Sequence, residues 1–109
     1  MTEYTPDNWV VIEIKGKDPH YRVLAGWSGG YTTGDSWRLN SGIVRCTFDG
    51  DYWYFYGSSS SCYKCYVDSY GLRMNNAHIW HKLQELHGDS VRMLDDQEWV
   101  AKDWDWIIK

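Results

Sequence analysis

The chain has 109 residues, 43% of them hydrophobic, and a formal net charge of −4 at pH 7. This length predicts a single domain over residues 1–109, and no apolar run is long enough to suggest a membrane partner. The chain has no basic stripe to neutralise phosphates, which excludes duplex DNA as an expected partner. The first residues lack the basic and apolar regions of a signal peptide, so we expect the protein in the cytoplasm.

The aromatic residues are mainly Trp and Tyr, with eight Trp and nine Tyr against two Phe. Both side chains combine a large apolar face with one hydrogen-bonding group, and they recur where proteins bind flat or half-polar partners. The composition therefore favours a binding protein. It also predicts a homo-oligomer, because one helix-on-sheet core is too small to bury so many rings.

Seven segments have the composition or alternation typical of β-strands. They are Trp9–Lys15, Tyr21–Gly26, Asp35–Asn40, Ile43–Phe48, Tyr52–Tyr56, Cys62–Val67 and Ser90–Leu94. Ahead of the last one, Ala77–His87 carries apolar residues at helical spacing, including Leu86, and Gly88 follows as a stop signal. We predict an α+β fold in which one main helix packs on a mostly antiparallel sheet of about five to seven strands.

The last fifteen residues contain two weaker signals. Asp95 and Glu98 have the spacing of a capping box and predict a short helical turn. Trp104–Lys109 predicts a strand or an ordered tail. Residues 89–109 hold six acids and three bases, so the acidity of the chain is a C-terminal feature, interpreted first as a solvated rim.

Asp49 and Gly50, between two strand segments, predict a two-residue hairpin turn that pairs Cys46 with Trp53 and Arg45 with Tyr54. Alternation then defines two faces. The core face is predicted to hold Val44, Cys46, Phe48, Trp53 and Phe55, and the opposite face Arg45, Thr47, Tyr52, Tyr54 and Tyr56. The second set, named here the tyrosine face, is interpreted either as a packing surface or as a stacking platform for a ligand.

Cys62 and Cys65 form a CxxC pair, which is common in metal and redox sites. There is no second CxxC, and residues three apart on a strand point to opposite faces. The odd number of cysteines also argues against a secreted disulfide framework. We therefore predict that Cys46, Cys62 and Cys65 bind no metal and form no bridge, and that the protein uses no cofactor.

The segment Trp27–Gly42 is the richest in residue types that bind ligands. Glycine-rich backbone can turn its N–H groups onto an anion, and Arg can form two hydrogen bonds to phosphate. The candidate ligand-binding residues here are Trp27, Tyr31, Trp37, Arg38 and Asn40. The spacing matches neither a P-loop nor a dinucleotide fingerprint, so a structured loop is the alternative. If Asp35–Asn40 is a strand, Arg38 and Asn40 point away from Leu39.

The start of the predicted helix supplies further candidates. Arg73, Asn75 and Asn76 could meet an anion at the helix N-terminus, although ordinary capping by asparagine is the alternative. Arg45 and Tyr54 complete the candidate set. His78 and His81, at i and i+3, could hold a metal or serve acid–base chemistry, and a solvated helix face is the simpler interpretation.

The run AGWSGGY (25–31), continued by GDSWRLNSG (34–42) and YGLRMNNAHIW (70–80), resembles small proteins of tailed phages that infect marine and cyanobacterial hosts. The similarity spans Trp9 to about Leu86. The resemblance implies a viral accessory protein made inside a bacterium and supplies no site residues. Such proteins often counter host defence, by blocking an enzyme or by sequestering a nucleotide signal.

Three functions therefore stay open. The first is a non-enzymatic protein that sequesters a small, flat, anionic ligand of nucleotide type, with aromatic side chains stacking and Arg38, Arg45 and Arg73 at phosphate. The second is a protein–protein inhibitor that uses exposed aromatics and the acidic tail. The third is a small phosphodiesterase that uses His78 and His81. For the first function, we expect Arg38→Ala to abolish ligand capture while the fold survives.

Overall fold

A computed structural model describes residues 2–17, 19–28 and 36–95 of the chain. Within these residues the chain forms eight strands and one main helix. The strands are β1 (Thr2–Tyr4), β2 (Asn8–Ile14), β3 (His20–Trp27), β4 (Ser36–Leu39), β5 (Ile43–Phe48), β6 (Tyr52–Gly57), β7 (Ser61–Tyr66) and β8 (Val91–Met93). The helix α1 spans Met74–His87, and single 3-10 turns occur at Val67–Ser69 and Gly88–Ser90.

The strands form two four-stranded sheets. The first sheet has the order β1-β7-β6-β5 and the second has the order β4-β3-β2-β8. Neighbouring strands are antiparallel except β1 and β7, which run parallel. Helix α1 contacts β3, β4 and β8 and so covers the outer side of the second sheet. The second sheet is therefore the middle of three layers.

This middle position explains the sequence of β2. Five consecutive residues, Asn8–Ile12, are fully buried, whereas a strand with one wet face would alternate. Trp9 and Val11 join the cluster between the two sheets, and Val10 and Ile12 join the cluster under the helix. A continuous apolar run of this length is typical of a strand packed on both sides.

The prediction of an α+β fold with one main helix on a largely antiparallel sheet structure is confirmed. The strands divide into two sheets instead of one, and β1 adds a strand that the sequence pattern did not indicate. The helix begins three residues before the predicted Ala77, and Leu86 is 67% exposed although it was assigned to the apolar stripe. Trp80 is the buried anchor of α1, with Ile79 and Leu83 packed beside it.

No helix within the described parts of the chain is long and apolar enough to cross a membrane. The predicted helical turn at Asp95–Glu98 extends beyond the described residues, and the predicted strand at Trp104–Lys109 lies wholly outside them.

The β5–β6 hairpin turns one residue later than predicted. Cys46 pairs with Phe55 and Arg45 with Tyr56, so the two central turn residues are Gly50 and Asp51. The Asp49 carboxylate causes this shift, because it accepts hydrogen bonds from the backbone N–H groups of Asp51 (2.9 Å) and Tyr52 (2.8 Å). Gly50, at φ +104°, then occupies the position where the chain needs a positive φ.

Shifting the turn by one residue leaves the two predicted faces in place except at Val44, but two residues assigned to the core, Val44 and Phe48, are exposed. Cys46, Trp53 and Phe55 pack in or against the inter-sheet core, and Phe48 stacks on Trp53 although it is 47% exposed. Val44 does not follow this pattern. A register irregularity between Ile43 and Arg45 buries Ile43 and leaves Val44 51% exposed, so its assignment to the core was wrong.

Asp49 makes the hairpin sensitive to pH. Hydrogen bonds from the backbone of Tyr52 and Asp51, and then from the Tyr54 hydroxyl, hold the pKa of the Asp49 carboxyl below its usual value. A lowered pKa contributes stability that is present above the ordinary carboxyl pKa and is lost as the pH falls through the folded-state value. We expect Asp49→Asn to lower the urea midpoint at about pH 7 and to differ progressively less from the parent as the pH falls below the ordinary carboxyl pKa of about 4. Asp51→Asn, which removes the same charge two residues away in the same turn, is the control, and an equal, pH-independent effect of both changes would contradict the assignment.

Candidate functional site

The structure distributes the predicted ligand-binding residues over separate surfaces. Trp27 and Arg38 meet at the edge between the two sheets. The Arg38 guanidinium lies 4.6 Å above the ring centre of Tyr4, and Trp27 packs edge-on against the same ring at 6.3 Å. The Trp27 indole N–H donates to the carbonyl of Thr5 (3.0 Å). These two residues therefore form an aromatic–cation cluster with Tyr4.

The other candidates from Trp27–Gly42 lie elsewhere. Trp37 pairs with Gly26 on the helix side of the second sheet and is 45% exposed. Asn40 is buried. Its side-chain Oδ1 accepts a hydrogen bond from the backbone N–H of Val23 (2.8 Å), and its backbone N–H donates to the Val23 carbonyl (3.0 Å). Asn40 thus extends the pairing of β4 with β3 and is a structural residue. Tyr31 lies outside the described residues.

Arg45 and Tyr54 lie on the tyrosine face, on the outer side of the first sheet. Arg45 lies 4.2 Å from the ring centre of Tyr56, and the Lys64 Nζ lies 4.5 Å from that of Tyr52. The Tyr54 hydroxyl donates to Asp49 (2.8 Å), which raises the pKa of Tyr54 to about 12. Because cations already cover two of the rings, this arrangement favours a packing surface over a platform for stacking bases.

The asparagines at the start of α1 are buried in a network with Asn8. The Asn76 Oδ1 accepts from the Arg73 backbone N–H (2.9 Å) and from the Asn8 side chain (3.1 Å). The Asn75 side chain donates to the Asn8 Oδ1 (2.6 Å). Asn75 and Asn76 are at most 1% exposed, so they hold the helix to β2 and do not present an amide to a ligand. Arg73 is exposed at the position preceding the helix.

His78 and His81 are both exposed on α1, and the His78 Nδ1 lies 3.4 Å from the carbonyl of Met74. Cys62 and Cys65 pair with Tyr56 and Trp53 respectively, which places them on opposite faces of β7 as predicted. All three thiols are buried and unbridged, and burial raises the pKa of Cys46 to about 11. The described residues contain no group of three or more potential metal ligands.

A cavity of about 450 Å³ opens between the last turns of α1 and the second sheet, and we name it the helix–sheet cavity. Its apolar wall is formed by Ile14, Leu39, Leu83 and Val91. Ser90 and four basic side chains complete the lining, the basic ones being Lys15, His20, Arg22 and His87. Among the described residues no acidic side chain lines it, although the chain as a whole carries a net charge of −4. Its volume lies in the usual range for small-molecule sites.

The strand register explains how the basic residues meet. Ile14 pairs with His20 and Ile12 with Arg22, so both basic side chains lie on the helix side of the sheet. The Arg22 Nε donates to the His20 Nε2 (3.1 Å), which orients the two groups together. Helix α1 ends at His87 and is capped by Gly88, so it does not extend over the part of the second sheet that carries His20 and Arg22. A cavity of this kind can bind an anion that also has an apolar part.

Sequence reasoning did not identify these four residues. His20 and Arg22 are two apart, and such a pair at the start of a strand is a signal that both share one face. Lys15 and His87 end different elements, and only the packing of α1 on the sheet brings them to the same place. None of the sequence-derived candidates that the structure describes lines the helix–sheet cavity.

A second cavity of about 570 Å³ lies on the other side of the Gly88–Ser90 turn. It shares Lys15 and Val91 with the helix–sheet cavity. Its other lining residues are Trp80, Gln84, Gly88, Asp89, Arg92 and Met93. The two cavities therefore adjoin each other along the end of β2.

Comparisons of this chain with models of protein families, with curated proteins and with solved structures found no match.

Proposed function

We propose that this protein binds a small anionic ligand of nucleotide type in the helix–sheet cavity and sequesters it without chemical change. The observation that carries the proposal is the set of four basic side chains around one cavity of about 450 Å³ in an acidic chain. Guanidinium and ammonium groups form charge-assisted hydrogen bonds with phosphate, and a guanidinium also stacks on flat rings. In a bacterium infected by a phage, capture of a nucleotide signal of host defence in the cytoplasm would protect the phage.

The tyrosine face supports a second candidate function, inhibition of a partner protein. Tyr and Arg are among the residues that dominate the energy of protein interfaces. The Lys64 ammonium already lies over the half-buried rings of Tyr52 and Tyr54, and Arg45 lies over Tyr56, so these side chains would lose little conformational freedom on binding. The predicted homo-oligomer would use surfaces of the same kind.

The test of the first proposal is calorimetric titration with a panel of linear and cyclic nucleotides. We expect Arg22→Gln to lower the affinity about ten- to a hundredfold, since a lost charge-assisted contact costs about 1.5–3 kcal/mol. Intact nucleotide recovered after denaturing the protein would indicate sequestration, and altered products would indicate catalysis.

Arg38→Ala is the matched comparison, because Arg38 lies beside Tyr4 and not in the cavity. Circular dichroism of both variants controls for folding. A loss of affinity in Arg38→Ala together with an unchanged Arg22→Gln would move the site to the edge between the sheets and contradict the cavity.

A further inference from the structure

The two adjoining cavities differ in charge, and this difference bears on the ligand. The helix–sheet cavity is lined by four basic side chains and, among the described residues, by no acid. The second cavity contains the Asp89 carboxylate as well as Arg92. Arg92 forms an ion pair with Glu13, with 3.3 Å between Nε and Oε1. The Arg92 charge in the second cavity is therefore paired with a carboxylate, and Lys15, shared with the helix–sheet cavity, is the other basic residue in its lining.

The ridge between the cavities is held by the backbone. The Lys15 N–H donates to the Ser90 carbonyl (2.8 Å), which ties the end of β2 to the turn after α1. Val91 pairs with Ile14 on the same ridge. Lys15 and Val91 line both cavities, so a ligand that lies across the ridge keeps contact with the Lys15 side chain throughout.

The second cavity carries groups suited to a planar, polar, uncharged part of a ligand. The Gln84 amide offers both a donor and an acceptor, as the edge of a nucleobase requires. Trp80 forms part of the wall, although it is only 6% exposed. Neither the Gln84 amide nor the Trp80 indole carries a positive charge that would pair with a second anion.

Resting on the function proposed above, we infer that the site is bipartite and takes a ligand with one anionic group and one polar planar group. The anion lies in the helix–sheet cavity, near Arg22 and Lys15. The planar part lies across the ridge, against Gln84 and Trp80. A nucleoside 5′-monophosphate has this chemistry, whereas a dinucleotide would place a second phosphate, or a second base, where the cavities do not provide for it.

The experiment compares four probes on the full chain by calorimetry: inorganic phosphate, nucleosides, nucleoside 5′-monophosphates and cyclic dinucleotides. We expect a monophosphate to bind at least about tenfold more tightly than phosphate alone. Gln84→Ala should reduce the monophosphate affinity towards that of phosphate and leave phosphate binding unchanged. Arg22→Gln should weaken both. His81→Ala, an exposed change on the same helix outside both cavities, is the control and should alter neither.

The outcomes separate the two proposals. Phosphate binding that depends on Arg22, with no gain for the monophosphate and no effect of Gln84→Ala, would overturn the bipartite site and leave the anion-binding function standing. A cyclic dinucleotide that binds more tightly than every monophosphate would also overturn it. Failure of all probes to bind would overturn both.

Discussion

Replacement of Asn76 by Ala is expected to destabilise the protein by about 3 kcal/mol or more, because it leaves several buried partners without a hydrogen bond. The Asn76 side chain joins α1 to two strands of the second sheet. Its Oδ1 accepts from the Arg73 N–H and from Asn8, and its Nδ2 donates to the Leu24 carbonyl (3.3 Å). Each buried polar group that loses its partner costs about 1–3 kcal/mol.

The measurement is urea unfolding followed by tryptophan fluorescence. Gln84→Ala is the matched control, since it removes an exposed amide from the same helix and should change the unfolding free energy by no more than about 0.5 kcal/mol. Equal, small effects of both substitutions would contradict the structural role of Asn76 and return it to the set of ligand-binding candidates.

Gly26→Ala is expected to destabilise the protein by up to about 3 kcal/mol, because the added methyl group has no space. A Cβ at Gly26 would lie 2.1 Å from the Asn75 Oδ1, and Asn75 is 1% exposed. The neighbouring side chain cannot swing away freely, since its Nδ2 is bonded to Asn8 at 2.6 Å. Because Gly26 has no side chain, α1 can approach β3 closely at this position.

A double-mutant cycle tests this explanation. Asn75→Ala removes the atoms that the new methyl group would meet, so Gly26→Ala should cost clearly less in that background than in the parent. Gly16→Ala is not a suitable control because Gly16 has a φ of +148°, at which Ala itself is strained. Strictly additive effects of Gly26→Ala and Asn75→Ala would show that the two residues do not conflict.

Local sequence patterns were sufficient to predict most strands, the main helix and the faces of the β5–β6 hairpin. Period-two alternation places Trp53 and Tyr54 on opposite sides whichever residue begins the turn, because moving a hairpin turn by one residue changes the partners and not the faces. The same alternation places Cys62 and Cys65, three residues apart, on opposite faces of β7. These features depend only on local geometry.

Tertiary structure decided which polar residues are accessible. Asn40, Asn75 and Asn76 are residue types that suit a ligand site, yet all three are buried and form hydrogen bonds to the backbone or to other side chains of the second sheet and of α1. An asparagine side chain bonds equally well to a ligand or to a strand, and only long-range packing selects between them.

The helix–sheet cavity likewise could not be predicted from the sequence. Lys15 and His87 are separated by most of the chain and meet only because α1 crosses the end of β2. The division into two sheets also depends on contacts distant in sequence, since the parallel pairing of β1 with β7 joins residues about sixty positions apart. Local patterns determine elements and faces, whereas sites built from several elements are determined by how those elements pack.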